Sequence, residues 1–178
     1  KVASRKSITD RVQDRGRRHV LRVAYDALDE QHQGLLSSIA AFRHPMEYDA
    51  VAVFKDDTSE EAFEEALADL TARGLLLVDP RQRTYDLHPI VRHYAYERLA
   101  NPEQVHDRLR DHFAVVPAPA KVTSLEDLTP TIELYHHTVS AGQYDAAWWL
   151  YLARIDNPLL WDLRLPRVQL QLLRALRR

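Results

Sequence analysis

The sequence contains no cysteine and only four glycines, and both shortages limit its chemistry. Without cysteine it can form no disulfide, thiolate nucleophile or zinc knuckle, which fits a reducing compartment. A phosphate-binding loop of the P-loop or dinucleotide type needs two or three glycines within about six residues. The glycines stand far apart, at Gly16, Gly34, Gly74 and Gly142. We therefore expect that this chain does not hold a nucleotide by itself in either of those ways.

Long apolar runs are also missing. No stretch approaches the roughly 18 apolar residues of a membrane-spanning helix, and the start lacks the pattern of a signal peptide. We therefore predict no membrane partner and a cytoplasmic location. The 178 residues, 46% hydrophobic and 28% charged, are enough for one large or two small globular domains. Because the chain begins at Lys1 and not at methionine, we expect it to be a piece of a longer protein.

The pattern of residues 18–101 predicts helices, one short β-hairpin and a closing helix. One expected helix begins near Arg17, and the others cover 29–42, 47–54, 58–73 and 89–99. The expected hairpin covers 75–87. Asp29 is the predicted N-cap of the second helix, and Thr58 with Glu61 forms a predicted capping box. Gly74 stands where a helix ends in the left-handed conformation. Three helices followed by a hairpin predict a winged-helix domain, whereas residues 1–17 are polar and predict a tether or the tail of a preceding domain.

Residues 102–178 are predicted to form a helical arm, which makes the whole chain mainly α. The expected helices are 103–115, 125–141, 143–154 and 166–177. The extended segment Pro117-Ala118-Pro119-Ala120 is the predicted internal boundary. Gly142 is expected in a tight turn, and Asn157-Pro158 is expected to stop a helix. Trp148, Trp149 and Trp161 are predicted to lie mostly in the core, with one of them left for a partner surface.

Motifs for catalysis or metal binding are not evident. Of the nine histidines, His88 and His93 are five positions apart on a helix, and the neighbours His136 and His137 are expected to face different sides. This spacing predicts no metal site. No Gly-x-Ser-x-Gly elbow occurs, and Glu64-Glu65 is better explained by solubility than by catalysis. The chain itself is therefore predicted not to be an enzyme.

The charge distribution argues against DNA as a partner. In a winged helix the third helix normally enters the major groove, where the phosphates require positive charge. Here that helix carries five acids between residues 58 and 73, against a single arginine. Like-charge repulsion would weaken its binding to a duplex, and Arg81 and Arg83 of the hairpin do not offset it.

His88 is the one residue for which the sequence suggests a binding role. It lies where a strand ends and a helix begins, beside unpaired backbone N–H groups and the positive end of the helix dipole. Its imidazole could donate to a phosphate oxygen brought by another domain. The alternative, which position alone favours, is a histidine that caps its own helix.

Four segments follow one another in a fixed order: Val20–Leu28, Gln33–Phe42, Leu70-x-x-Arg73-Gly74-Leu75-Leu76 and Leu87-His88-Pro89-Ile90-Val91-Arg92. In this order they resemble the winged-helix region of bacterial STAND (NB-ARC type) signal-transduction ATPases. The resemblance implies that His88 matches the histidine of the family's Met-His-Asp motif, which contacts the β-phosphate of ADP in the resting state. Pro89 replaces the aspartate of that motif. It also implies that the phosphate loop, the Mg²⁺-binding acids and the sensor arginine lie upstream of this chain.

A second, shorter resemblance lies in the arm. Gly142-x-Tyr144-x-x-Ala147-x-x-x-Tyr151 resembles the turn and second helix of a tetratricopeptide repeat, although Arg154 stands where alanine is expected. Together the resemblances imply a regulatory fragment that stabilises the ADP-bound, autoinhibited state and couples it to a helical-repeat sensor. ADP or ATP with Mg²⁺ would bind the full-length protein, its own nucleotide-binding domain would be the partner in cis, and an inducer or protein partner would bind the arm. The alternatives are a winged-helix transcription regulator with a helical dimerisation tail and a plain interaction scaffold.

Overall fold

The fold is described by a computed structural model that covers residues 19–176. The predicted tether, 1–17, and the predicted helix start at Arg17 lie outside these residues. The described chain divides after Leu99 into two compact units, called here unit 1 (19–99) and unit 2 (100–176). It is mainly helical with a small antiparallel sheet, as the sequence predicted. Within 19–176, no helix combines the length and apolar character needed to cross a bilayer.

Unit 1 contains the helices that the apolar periodicity predicted, with shorter bounds. They are α1 (19–26), α2 (Glu30–Ile39), α3 (Tyr48–Val51), which continues into a 3-10 turn (Ala52–Phe54), α4 (Glu60–Ala72) and α5 (Pro89–Tyr96). The N-cap prediction for α2 is confirmed, because a carboxylate oxygen of Asp29 accepts a hydrogen bond from the backbone N–H of His32 at 2.8 Å. This bond satisfies one of the N–H groups that a helix start leaves without an intrahelical partner.

The N-cap of helix α4 lies one residue later than predicted. Its N-cap is Ser59, whose hydroxyl oxygen accepts from the N–H of Ala62 at 3.2 Å. Counted from Ser59, the third helical position is Ala62, so the predicted capping box of Thr58 and Glu61 is wrong. The predicted end is confirmed, since Gly74 has a φ of +70°, a conformation that costs a residue without Cβ little.

The three-stranded sheet contains the predicted hairpin and one strand that was not predicted. The strands are β1 (Met46–Glu47), β2 (Leu77–Asp79) and β3 (Thr84–Asp86), in the order β1-β3-β2. A carboxylate oxygen of Asp79 accepts from the N–H groups of Arg81, at 2.8 Å, and Gln82, at 3.2 Å. These bonds form the turn that returns the chain. Strand β1 has two residues, too few for an alternating pattern to be visible.

Unit 2 is formed by helices joined through short irregular turns. They are α6 (Pro102–Ala114), a 3-10 turn (Glu126–Leu128), α7 (Thr129–Ser140), α8 (Tyr144–Arg154), a π-helical turn (Pro158–Asp162) and α9 (Pro166–Ala175). Helices α6 and α7 pack along each other. The segment Pro117–Ala120 joins these packed helices inside unit 2, so its prediction as the internal boundary is wrong. Helix α8 ends at Arg154, before the expected stop at Asn157-Pro158, and Pro158 is the first residue of the π-helical turn.

The core of unit 2 lies between α7, α8 and α9. Tyr135, Ala147 and Tyr151 are among its fully buried members. Gly142, with a φ of +76°, makes the predicted turn between α7 and α8. The prediction that the tryptophans are mostly core is wrong: Trp148, Trp149 and Trp161 are 42%, 68% and 71% exposed. In α8 the inward positions four residues apart are occupied by Ala147 and Tyr151, which turns the two neighbouring indoles outward.

Candidate functional site

His88 stands at the junction between β3 and α5. Leu87, just before it, is buried and anchors the end of the strand, whereas the His88 imidazole is exposed. Nδ1 of His88 accepts a hydrogen bond from the N–H of Ile90 at 3.3 Å, and Pro89 fills the first helical position. The prediction of His88 as the N-cap of α5 is therefore confirmed. Proline fits there because its missing N–H would have no intrahelical partner.

The capping bond determines what His88 can offer to a ligand. Because Nδ1 is the acceptor, the proton of the neutral ring lies on Nε2, which makes Nε2 a hydrogen-bond donor. The ring also lies at the helix end where backbone N–H groups and the helix dipole favour negative charge. An exposed N–H in this position suits an oxyanion supplied from outside the unit. Capping and anion contact therefore use different nitrogens of His88 and do not exclude each other.

An ion pair holds this junction in place. The guanidinium of Arg92 contacts a carboxylate oxygen of Asp86, and the same oxygen accepts from the N–H of Leu87 at 2.7 Å. Arg92 also donates to the backbone carbonyl of Arg43 at 3.0 Å. These contacts tie the end of β3, the start of α5 and the segment after α2 together around His88. Sequence reasoning did not assign this role, although the Arg92 that ends the Leu-His-Pro-Ile-Val-Arg motif was the available signal.

The acidic residues of α4 face away from the core. Phe63, Leu67 and Leu70 are buried, whereas Glu64 and Glu65 are exposed. This arrangement agrees with a role in solubility. At the start of the helix Glu60 accepts from Lys55 at 2.7 Å and from the Tyr48 hydroxyl, and these bonds hold the pKa of the Glu60 carboxyl below its usual range.

Unit 2 contains a cluster of three histidines that spacing did not predict. His106 comes from α6, and His136 and His137 come from α7. One ring nitrogen of each lies within 4.8 Å of the corresponding atoms of the other two. His136 and His137, which were expected to face different sides, have ring centroids 5.1 Å apart, and their rings lie 5.8 Å and 5.1 Å, respectively, from the His106 ring. His106 lies 30 or more positions away in sequence, so only the packing of α6 on α7 reveals the cluster.

The cluster is largely inaccessible to solvent and includes a carboxylate. His106 and His137 are buried, and His136 is half-buried. Nδ1 of His106 lies 2.9 Å from Nδ1 of His137, and Nε2 of His137 lies 3.6 Å from a carboxylate oxygen of Glu133. Glu133, one helical turn before His137, has no exposed side-chain surface. Burial lowers the pKa of His106 to about 4, so its imidazole is neutral at pH 7.

Comparison with known proteins gives one kind of match. No protein-family model and no curated protein matches the sequence. Among solved structures, a similar chain is the Signal Transduction ATPase with Numerous Domains (STAND) protein with a tetratricopeptide repeat sensor from Pyrococcus horikoshii. The TM-score is 0.61 at 18% sequence identity, over 85% of this chain. This chain shares its fold with part of that protein.

The extent of the match limits what it shows. It covers 21% of the Pyrococcus horikoshii chain, so the present chain spans about a fifth of that protein's length. At 18% identity the similarity concerns the backbone arrangement and not the chemistry of particular side chains. The mainly helical architecture with a small sheet is thus shared with a multidomain signalling protein, and function has to be argued from the residues themselves.

Proposed function

We propose that this chain is a non-catalytic regulatory part of a STAND signal-transduction ATPase. Residues 18–101 would be its winged-helix domain, and residues 102–178 the start of a tetratricopeptide-like arm. The observation that carries the proposal is the exposed His88 at the start of α5, in a fold shared with part of a STAND protein. The proposed fold of unit 1 is supported by its order of elements: α2, α3 and α4, then the β2–β3 hairpin, then α5.

In this proposal His88 senses ADP held by another domain. Its Nε2–H would donate to a phosphate oxygen, while Nδ1 keeps α5 capped. The nucleotide, with Mg²⁺, would be bound by a nucleotide-binding domain in cis, because the glycines of this chain are too dispersed for a phosphate loop. The contact would favour the closed, ADP-bound state over the open one. The domain would thus act by biasing a two-state equilibrium without performing chemistry.

The arm would connect this equilibrium to a sensor. Helices α7 and α8 pack against each other on either side of Gly142, and two of the positions that match the repeat pattern, Ala147 and Tyr151, are buried. This geometry supports a tetratricopeptide-like hairpin, in which small and aromatic residues pack between neighbouring helices. An inducer or protein partner acting on such an arm would shift the same equilibrium from the other end. We expect such a protein to work in the cytoplasm.

A winged-helix transcription regulator is the competing function, and the surface of α4 argues against it. Four exposed acids, Glu60, Glu61, Glu64 and Glu65, occupy the helix that would have to enter the major groove. A regulator of that kind would show a shift on random duplex DNA that weakens as salt is raised. We expect no such shift at low salt, about 50 mM. If the chain is a plain interaction scaffold, substitution of His88 would not change how tightly the protein retains its nucleotide.

The decisive experiment separates the two uses of His88. In a protein that joins this chain to a nucleotide-binding domain, His88→Asp keeps a good N-cap but places negative charge near the phosphate. We expect ADP to dissociate about 10–100-fold faster, the equivalent of one charge-assisted hydrogen bond, while thermal stability is unchanged. His88→Ala should show the same loss and a higher basal activity. The matched control, His93→Ala, alters an exposed histidine of the same helix that pairs with Glu97.

The outcomes of this experiment are distinct. Faster ADP release in both His88 variants, with His93→Ala behaving as the parent protein, supports the phosphate contact. Unchanged ADP affinity in His88→Asp removes it and leaves His88 as a helix cap alone.

A further inference from the structure

We propose that His106, His136 and His137 form a binding site for one divalent transition-metal ion of the zinc class, with Glu133 orienting His137. The proposal rests on the convergence of three imidazole nitrogens, from two helices, within 4.8 Å of one another. It concerns unit 2 alone and does not depend on the proposed function of His88.

The donor set suits a borderline metal ion. Imidazole is a good ligand for Zn²⁺, Cu²⁺ and Ni²⁺, and three histidines with one open position form a known type of zinc site. Zn–N bonds of about 2.0–2.1 Å in a tetrahedral site place two ligand nitrogens about 3.3 Å apart. The observed 2.9 Å between Nδ1 of His106 and Nδ1 of His137 is close to that separation. The ligand nitrogen of His136 lies within 4.8 Å of the other two, and His136 is the least buried of the three histidines.

Glu133 has the position of a carboxylate that supports a metal-bound histidine. When Nδ1 of His137 binds the ion, its Nε2 carries the proton and faces the Glu133 carboxylate at 3.6 Å. Such carboxylate–histidine–metal arrangements fix the tautomer and the ring orientation of the ligand. The ring of Phe113 stacks on His137, with an interplanar angle of 12° and centroids 5.6 Å apart, and further restricts it. His137 is thus held before any ion arrives.

The competing explanation is a hydrogen-bonded histidine pair without metal. One proton shared between the two Nδ1 atoms accounts for their 2.9 Å separation. In that explanation His136 is a neighbour of the pair and not a ligand, with its ring 5.8 Å from that of His106 and 5.1 Å from that of His137. The two explanations differ in what happens when metal is added.

The test is a Zn²⁺ titration of the whole chain, purified without a histidine tag and stripped with a chelator. We expect saturable binding of one Zn²⁺ per chain by calorimetry, together with a raised melting temperature, because a ligand specific for the folded state stabilises it. Co²⁺ at the same site should show visible d–d absorption typical of tetrahedral coordination. No saturable binding, or no change in melting temperature, would overturn the proposal and leave the hydrogen-bonded pair.

Variants assign the ligands. His136→Ala removes the least buried member and should weaken Zn²⁺ binding at least about tenfold without unfolding the chain. Glu133→Gln keeps the shape of the side chain and should weaken binding about 10–100-fold, with a changed Co²⁺ spectrum. The control is His112→Ala, on α6 but outside the cluster. If His112→Ala weakens Zn²⁺ binding as much as His136→Ala, binding is not at this cluster and the proposal is wrong.

Discussion

Among the described residues, unit 1 buries a single polar side chain, Ser37, whereas unit 2 buries five. Those of unit 2 are His106, Thr131, Glu133, His137 and Thr138. Ser37 is satisfied by one neutral contact, with the Tyr25 hydroxyl at 2.8 Å. In unit 2 a carboxylate and two imidazoles share one region between α6 and α7. The two units therefore differ in how their buried polar side chains are stabilised. Unit 1 uses one neutral hydrogen bond, and unit 2 uses contacts among ionisable side chains.

This difference indicates which side chains of each unit are placed to bind a ligand. In unit 1 the group suited to binding, His88, is exposed and needs a second body to bring an anion to it. In unit 2 the ligating groups are already assembled inside the unit, at an energetic cost that apolar residues would not incur. Under the two proposals, unit 1 would act through a contact surface and unit 2 through an internal ion site.

The largest predicted effect concerns the buried pair of unit 2. We expect His137→Leu to lower the free energy of unfolding by about 3–5 kcal/mol in metal-free buffer, because it removes the imidazole that is ion-paired with the buried Glu133 carboxylate. Urea denaturation measures this loss. Glu133→Gln should cost much less, about 1 kcal/mol, since a neutral His137 remains hydrogen-bonded to His106.

The double variant sharpens this test. If the loss in His137→Leu comes from an uncompensated charge, adding Glu133→Gln should restore part of the stability, which a double-mutant cycle measures. Additive losses would show that the two groups are not coupled and that unit 2 buries no charged pair.

The next effect is smaller and depends on pH. Tyr135 of unit 2 donates to the carbonyl of Leu172 at 2.8 Å, and burial raises the pKa of its phenol to about 12. The folded state thus holds the proton more tightly than the unfolded state, whose tyrosine has a pKa of 10.0. The associated stability is complete below pH 10 and is lost as pH rises towards 12. Tyr135→Phe should cost about 1 kcal/mol at neutral pH and lessen the alkaline loss.

Tyr25→Phe in unit 1 is the matched comparison for Tyr135→Phe. Its hydroxyl bonds Ser37 at 2.8 Å, so its removal should cost a similar amount at neutral pH. Urea midpoints at neutral pH compare the two losses, and midpoints of Tyr135→Phe and of the parent chain above pH 10 give the alkaline loss. An alkaline loss in Tyr135→Phe equal to that of the parent chain would contradict the assignment of that loss to Tyr135.

Local sequence signals predicted much of this fold because they act over a few residues. The Asp29 cap, the left-handed Gly74 and Gly142, and the His88-Pro89 helix start each depend on neighbouring backbone groups alone. The error at Thr58 is also local. Thr58 and Ser59 are adjacent residues of types that commonly cap helices, and Ser59 is the N-cap of α4. Such choices between adjacent cap residues differ by only a few tenths of a kcal/mol.

The features that sequence reasoning missed depend on contacts between distant segments. Strand β1 exists because Met46 pairs with Tyr85, far along the chain. The histidine cluster exists because α6 packs on α7, which places His106 beside His137. Spacing rules for metal ligands test one helix or loop at a time and cannot see a site that two helices share. The candidate at His88 was visible because its geometry is local, and the one in unit 2 was not.

The smallest predicted effect tests the outward face of α8 in unit 2. Trp149 is 68% exposed, whereas Ala147 and Tyr151 on the same helix are buried. We expect Trp149→Ser to change the free energy of unfolding by no more than about 0.5 kcal/mol, as surface substitutions usually do. Tyr151→Ala, the buried control, should cost about 3–5 kcal/mol, as removal of a large buried aromatic does. Equal losses in the two variants would mean that Trp149 is core and that the inward face of α8 has been assigned wrongly.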